Sequence, residues 1–346
     1  SAAGRRAPMR VAQIGLGAMG MPTASNLRAA GHELIVFDLS HEALAAAAEL
    51  GCKIAESPAA AAVAAAAVVT FVPNDAILRE VTLGSDGVLS TAPRGCVHLS
   101  CSTVHPDTCR ELARLHTQAG GGFVGAPVFA RADGMGRREA TFAVGGEDTH
   151  VQVVMPLLEA LVQSSTSIYR FGPDPGAGAV TKLCGNFMIA SAIESCAEAM
   201  SLAEKSGLDR TAVMSMLNGT IFDCLIYRGY GERVAKREHV PRQSDLVGPG
   251  FQLDLGLKDI TLALDVARKV KSPMPFASVL HDRFLGAVAR GRGQLDWSAI
   301  ALSVSEDAGV KVEPQGVEKR PACEPFGAGR ASTGSSCSPE AKRVKH

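Results

Sequence analysis

Two short stretches of this chain combine residue types and spacings suited to chemistry, and they lie far apart. Residues 11–20 read VAQIGLGAMG, an apolar run that breaks into Gly15-Leu16-Gly17-Ala18-Met19-Gly20. A buried parallel strand turning tightly into a helix has this form. The turn suits an anion, because the helix N-terminus offers amide donors and partial positive charge. Gly15 permits the tight turn, Gly17 lets the backbone approach phosphates, and Gly20 lets the helix pack on the strand. The second stretch is KLCGN, residues 182–186. Lys182 and Asn186 stand four apart and share a helix face, in a segment otherwise dominated by Leu183, Phe187, Met188 and Ile189. An amine in such company either carries chemistry or snorkels at a helix end.

The elements around the glycine turn give it meaning. Residues 23–30 are helix-like, Gly31 suits a C-terminal cap, and residues 33–37 form a second buried strand ending in Asp38. An acid roughly 20 residues past the glycines is placed to accept hydrogen bonds from adenosine ribose hydroxyls, so this βαβ unit is expected to hold a dinucleotide. Leu39 and Ser40 follow Asp38 with no arginine to balance a 2′-phosphate. NAD is therefore expected in preference to NADP.

Further along, residues 41–50 read as a helix ended by Gly51, and Ser57-Pro58 as the cap and first turn of an alanine-rich helix over residues 59–67. Strands are expected at residues 68–72, before Pro73-Asn74-Asp75, and at residues 97–99, before Ser100-Cys101-Ser102-Thr103. Ligands on such sheets gather at strand C-terminal ends, which makes Val72, Pro73 and Thr103 cofactor candidates, although either turn also reads as ordinary loop. Residues 123–129, 140–144 and 167–171 supply the remaining strands of the same sheet, and the run of Gly and Pro over residues 172–176 marks a boundary. Beyond it the periodicity is helical: residues 179–206 capped by Gly207, then 211–217, 222–237, 255–270, 275–289 and a last helix from Asp296. The expected fold class is α/β. A doubly wound Rossmann sheet spans residues 9–172, an all-α domain for substrate and oligomer contacts spans 173–310, and a disordered tail spans 311–346.

Composition narrows the partners. Lys plus Arg number 35 and Asp plus Glu number 35, so no global field argues for nucleic acid, an anionic membrane or an acidic partner. Nine cysteines without a CxxC pair or zinc-like Cys/His spacing read as reduced intracellular thiols, with neither disulfide framework nor metal. No apolar run reaches the roughly 18–20 residues of a membrane-spanning helix, and a soluble, cytoplasmic protein is expected. Arg5, Arg6 and Arg10 without an acid allow an organelle-targeting remnant or an artificial leader, and the latter is the blander reading. The basic cluster Lys342-Arg343-Val344-Lys345 reads as part of a solvated extension rather than a nuclear-import signal. Met214, Leu217, Ile221, Phe222, Leu225 and Tyr227 exceed what one short helical domain easily buries, so a homodimer or homotetramer is expected.

Together the motifs resemble the β-hydroxyacid dehydrogenase family, which includes 3-hydroxyisobutyrate dehydrogenases and glyoxylate/succinic semialdehyde reductases. The likeness runs over residues 9–309. Its elements are IGLGAMG, Ser102-Thr103 followed by Pro106, Ala126-Pro127-Val128, GAGAVTKLCGN ending at Asn186, and Leu257-Lys258-Asp259. The resemblance implies a helical domain like the C-terminal domain of 6-phosphogluconate dehydrogenase. It makes Lys182 the catalytic acid/base and Asn186 a substrate holder. It also places Val72, Pro73, Thr103 and Lys258 on NAD or NADP, alongside Gly15, Leu16, Gly17, Met19, Gly20 and Asp38, the cofactor contacts expected from the βαβ unit. The physics is compatible: hydride transfer to a carbonyl leaves an alkoxide, which an ammonium stabilises and protonates. Burial, with Lys258 nearby, would bring the lysine pKa down toward working pH.

One departure stands out. The family usually has a Ser-Gly-Gly turn for the substrate carboxylate, and this chain has Phe129-Ala130-Arg131. Short 3-hydroxy acids become doubtful substrates, while Arg131 either grips a carboxylate bidentately or faces solvent. Carbonyl and alcohol chemistry on a small hydroxyacid, aldehyde or ketoacid is the leading expectation. Imine reduction and a non-catalytic cofactor-binding role are the alternatives.

Overall fold

The computed structural model describes residues 8–240 and 250–312, which lie in one compact unit. Arg5, Arg6 and the basic cluster near the C-terminus lie outside the described residues, as does the expected tail beyond Val312. The first half is organised by β1 (Arg10–Ile14), whose four residues after Arg10 are buried, and by α1 (Gly20–Ala29), β2 (Glu33–Phe37), α2 (His41–Glu49) and β3 (Lys53–Ile54). There follow α3 (Pro58–Ala62), β4 (Ala67–Thr70), α4 (Asp75–Leu83), β5 (Val97–Ser100), α5 (Pro106–Gln118) and β6 (Gly122–Gly125). The six strands form one parallel sheet in the order β3-β2-β1-β4-β5-β6. This is the doubly wound arrangement, with its topological switch between β1 and β4, where ligands enter.

Two sequence expectations are corrected here. The alanine-rich helix does not reach residue 67: α3 ends at Ala62, the chain turns through Ala64 at a φ of 59°, and Ala67 opens β4. Every residue of β4 is buried, and burial between neighbouring strands outweighs alanine's helix propensity. The run 123–129 is also not one strand. Gly125 leaves β6 by exchanging hydrogen bonds with Gly145, and Pro127 has no amide to continue the ladder. The chain re-enters as β7 (Val128–Phe129), followed by α6 (Ala132–Gly136), β8 (Thr141–Val144), α7 (Asp148–Ala160) and β9 (Ile168–Arg170). The last three strands make a separate sheet, β7-β8-β9, antiparallel between β7 and β8 and parallel between β8 and β9. That switch carries Phe129 and Arg131 away from the main sheet.

From α8 (Ala177–Lys205) onward the described structure is helical: α9 (Arg210–Asn218), a π-helical turn at Tyr227–Gly231, α10 (Glu232–Lys236), α11 (Leu253–Val270), α12 (Pro275–Ala289) and α13 (Ile300–Asp307). The inner face of α8 packs on α11 and α13 around Ile193, Met200, Leu280, Phe284 and Trp297. Among the described residues no helix is long and apolar enough to cross a membrane, and no group of three or more His, Cys, Asp or Glu could hold a metal ion.

A hydrogen-bonded chain of buried imidazoles runs beneath the main sheet. Thr70 Oγ1 lies 3.0 Å from His98 Nε2, and His98 Nδ1 lies 3.0 Å from His116 Nε2. Burial, and then the neighbouring ring, hold His98 well below its ordinary 6.5; burial and then His150 lower His116 to about 4. Burial followed by nearby arginines lowers His239, which packs on Ser298 in the helical half, to about 3. Each is neutral when folded but takes up a proton near its ordinary pKa when unfolded. Their stabilising contribution is thus intact above about pH 6.5 and is lost as pH falls, at about 1.4 kcal/mol per pH unit for each histidine. Urea midpoints titrated downward from neutrality should fall steeply before the carboxylates protonate; a flat profile down to about pH 4.5 would contradict it.

Candidate active site

The glycine turn forms at the switch point. Gly15 has a φ of +93°, and a Cβ there would stand 2.1 Å from the Phe71 carbonyl oxygen just past β4, so only glycine fits the turn. Leu16 N donates to Asp38 Oδ2 at 2.6 Å and Ser40 N to Asp38 Oδ1 at 2.8 Å, which ties the glycine turn to the end of β2. Met19 occupies the capping position of α1, where no side chain makes a capping hydrogen bond, and a Cβ on Gly17 would meet nothing within 4 Å. Open space beside uncapped amides fits a pyrophosphate, and the Asp38 carboxylate keeps lone pairs for ribose hydroxyls.

The adjoining strand ends are joined by Val72 N, which donates to Ser102 Oγ at 2.8 Å; Pro73 and Thr103 come next in the chain. From there a polar chain crosses to the helices. Lys258 Nζ, on α11, donates to the Thr103 carbonyl at 2.6 Å and lies 2.9 Å from Asp259 Oδ1. Asp259 is 1% exposed, and its Oδ2 accepts from Asn186 Nδ2, on α8, at 2.5 Å. A carboxylate can only accept, so Asn186 faces it with its nitrogen and keeps its amide oxygen for another donor.

Lys182 lies one turn before Asn186. Its Nζ sits 4.2 Å from the centroid of the Phe129 ring, a cation–π distance. Its pKa falls from the ordinary 10.5 to about 8: burial is the main cause, the Asp259 charge opposes it, and the Lys258 charge adds to it. At that value the amine is both a usable acid and a usable base near neutrality.

Lys182, Asn186, Phe129, Ala130 and Arg131 line one cavity of about 420 Å³, so the structure brings the five substrate-side residues together. The sequence-predicted cofactor residues do not line this cavity; they lie at the sheet's C-terminal edge and along the Thr103–Lys258 connection. Sequence reasoning missed the walls, Ile189, Ile226, Tyr230, Phe251 and Trp297, which come from four separate segments with no shared spacing. It also missed Asp259 as a site residue, for which a signal existed: an acid directly after Lys258 in the Leu257-Lys258-Asp259 motif.

The family model described as the NAD binding domain of 6-phosphogluconate dehydrogenase matches residues 10–170, and that described as NAD-binding of NADP-dependent 3-hydroxyisobutyrate dehydrogenase matches residues 176–304. A probable mitochondrial 3-hydroxyisobutyrate dehydrogenase of Dictyostelium discoideum is 33% identical, over 83% of this chain and 88% of its own. The 3-sulfolactaldehyde reductase of Escherichia coli is 33% identical over 87% of this chain and 97% of its own. Among solved structures, 3-hydroxyisobutyrate dehydrogenase from Salmonella typhimurium superposes with a TM-score of 0.76 at 26% identity, covering 85% of this chain and 99% of that one.

Proposed function

Because the chain belongs to the β-hydroxyacid dehydrogenase family and is an NAD(P)-dependent oxidoreductase of hydroxyacids, we propose that Lys182 is the general acid/base of its reaction. The observation that carries this reading is the Lys182 ammonium, brought to about 8 in the same cavity as Asn186 and Arg131. A nicotinamide bound there would supply the acceptor or donor of the hydride. Lys182 Nζ accepts the hydroxyl proton in oxidation and gives it back in reduction, so no free alkoxide has to form. The Asn186 amide oxygen accepts from the substrate hydroxyl or from the ammonium, which orients both. Gly15, Leu16, Gly17, Met19, Gly20 and Asp38 would hold the dinucleotide's phosphates and ribose, and Val72, Pro73, Thr103 and Lys258 would line its nicotinamide end. In this reading residues 9–172 bind the cofactor and residues 173–310 complete the substrate site.

Short aldehydes, hydroxyacids and cyclic imines assayed with NADH, NADPH and their oxidised forms test the reading. Turnover of acids or aldehydes is expected. Cofactor binding with no turnover of any, or turnover of imines alone, would refute it.

The cofactor preference rests on Asp38, which presents a carboxylate where a 2′-phosphate would have to lie, with neither Leu39 nor Ser40 able to offset the charge. Calorimetry should show NADH binding at least roughly tenfold more tightly than NADPH. Equal or tighter NADPH binding would reverse the assignment. A homodimer or homotetramer accords with the apolar side chains exposed on the helical half, among them Met188, Leu202 and Ile221.

A further inference from the structure

Phe129 is built into the site rather than resting in it. A Cβ on Gly185 would stand 2.3 Å from Phe129 Cε1, so α8 presents bare backbone to the ring. The ring occupies the wall beside Lys182 where a small or hydroxylated residue would leave polar space. Two residues on, Arg131 is held in an extended conformation and lines the same cavity, its Cα roughly 6.5–7 Å along the chain from that of Phe129. Its side chain is 46% exposed and, among the described residues, makes no hydrogen bond and pairs only with Asp133, which is 3.9 Å away and 3.3 Å from Arg137. The same cavity has a preassembled aromatic wall, with Phe251 and Tyr230 edge-on to the buried Trp297 at centroid distances of 4.8 and 5.6 Å. Leu225, also lining the cavity, is 74% exposed.

The Arg131 guanidinium lines the same cavity as Lys182, together with Asp133, Arg137 and Glu139, and with no hydrogen bond among the described residues its donors suit an anion; the apolar lining that ends in the exposed Leu225 calls for an apolar group to cover it. The cavity of about 420 Å³ falls in the roughly 300–1,000 Å³ range of pockets that enclose drug-sized ligands, well beyond the needs of a three- or four-carbon acid. We propose that this site takes a 3-hydroxy acid, or the matching aldehyde acid, with a bulky apolar substituent on the carbon between its two functional groups. Its carboxylate lies on Arg131 and its substituent against Leu225, Tyr230 and Phe251. This rests on the oxidoreductase reading above. In oxidation the C–H pair leaves as hydride to the oxidised nicotinamide, the O–H proton goes to Lys182, and the C=O bond forms.

The test keeps the reacting group constant: 3-hydroxypropanoates bearing methyl, hexyl or benzyl at the second carbon, each also as its methyl ester. They are assayed with the full-length enzyme and with Arg131→Gln, and the methyl and benzyl acids are titrated calorimetrically into cofactor-loaded enzyme. The hexyl and benzyl acids should exceed the methyl acid at least roughly tenfold in kcat/KM. Arg131→Gln should cost the acids roughly 10- to 100-fold, mainly through KM, and leave the esters unchanged. A methyl acid as good as the benzyl acid, or esters as good as acids, overturns the proposal. If nothing turns over, the oxidoreductase reading fails by itself. The calorimetry then decides the pocket: tighter binding of the benzyl acid upholds it, and equal binding sinks it.

Discussion

Lys182→Ala is expected to lower kcat by roughly 10²- to 10⁴-fold, the range a positioned general acid or base supplies, while cofactor affinity barely moves. The lysine lines the substrate cavity and contributes nothing to the glycine turn, so the loss should fall on chemistry. Its pKa of about 8 also fixes the shape of the pH dependence. Oxidation needs the neutral amine, so kcat/KM for the alcohol should rise with pH and level off above about 8. Reduction needs the ammonium, so kcat/KM for the aldehyde should hold at lower pH and decline through the same value. Activity of the alanine variant within a few fold of wild type would make Lys182 a snorkelling residue after all.

Asp259→Asn should have the next largest effect. The buried carboxylate holds Asn186 through one oxygen and lies 2.9 Å from Lys258 through the other, and its charge is the influence that keeps the Lys182 pKa from falling further. The amide is nearly isosteric but uncharged, and whichever way it turns it points N–H donors at another donor. A drop of roughly 10- to 100-fold in kcat/KM is expected, with the oxidation profile displaced to lower pH because Lys182 loses the charge that favoured its ammonium. Asp259→Ala should in addition unfold more readily by about 3 kcal/mol, since Lys258 is left partly buried without a counter-charge. A purely structural aspartate would shift the melting temperature and leave the pH profile where it was.

Local signals were legible where one physical rule acted alone. The strand Glu33–Phe37 and the helix Pro275–Ala289 are legible with the bounds they have in the structure, the first from a buried apolar run stopped by Asp38, the second from helical periodicity. Gly207, with a φ of +78°, follows the long helix that carries Lys182 and Asn186. Where two rules competed, the stronger was not visible along the chain. Alanine-rich residues 59–67 look like helix by propensity, yet four buried strand positions begin at Ala67 because neighbouring strands claim them. The seven residues from Phe123 look like one strand, yet Pro127 and the Gly125–Gly145 pairing split them between two sheets. The helices Asp75–Leu83 and Pro106–Gln118 went unread beside the turns that cap them. In the site, residues four apart on one helix could be paired on paper. The approach of Asp259 to Asn186, or of Phe251 to Trp297, depends on how separate segments pack, and no periodicity records that.

The Asp38 carboxylate has a consequence for anyone wishing to re-engineer this protein. Changing coenzyme usage ordinarily begins by exchanging the ribose-side acid for a neutral or basic residue. Here the same two oxygens fasten Leu16 N and Ser40 N, so the exchange would also unfasten the glycine turn from the strand beside it. A redesign for the phosphorylated coenzyme therefore has to bring its own acceptor for Leu16 N, an asparagine or serine oxygen at position 38 being the simplest, before any arginine is added nearby. In the proposed reading, selectivity and scaffold share those atoms, and altering one without the other would yield a catalyst that is indiscriminate and slack at once.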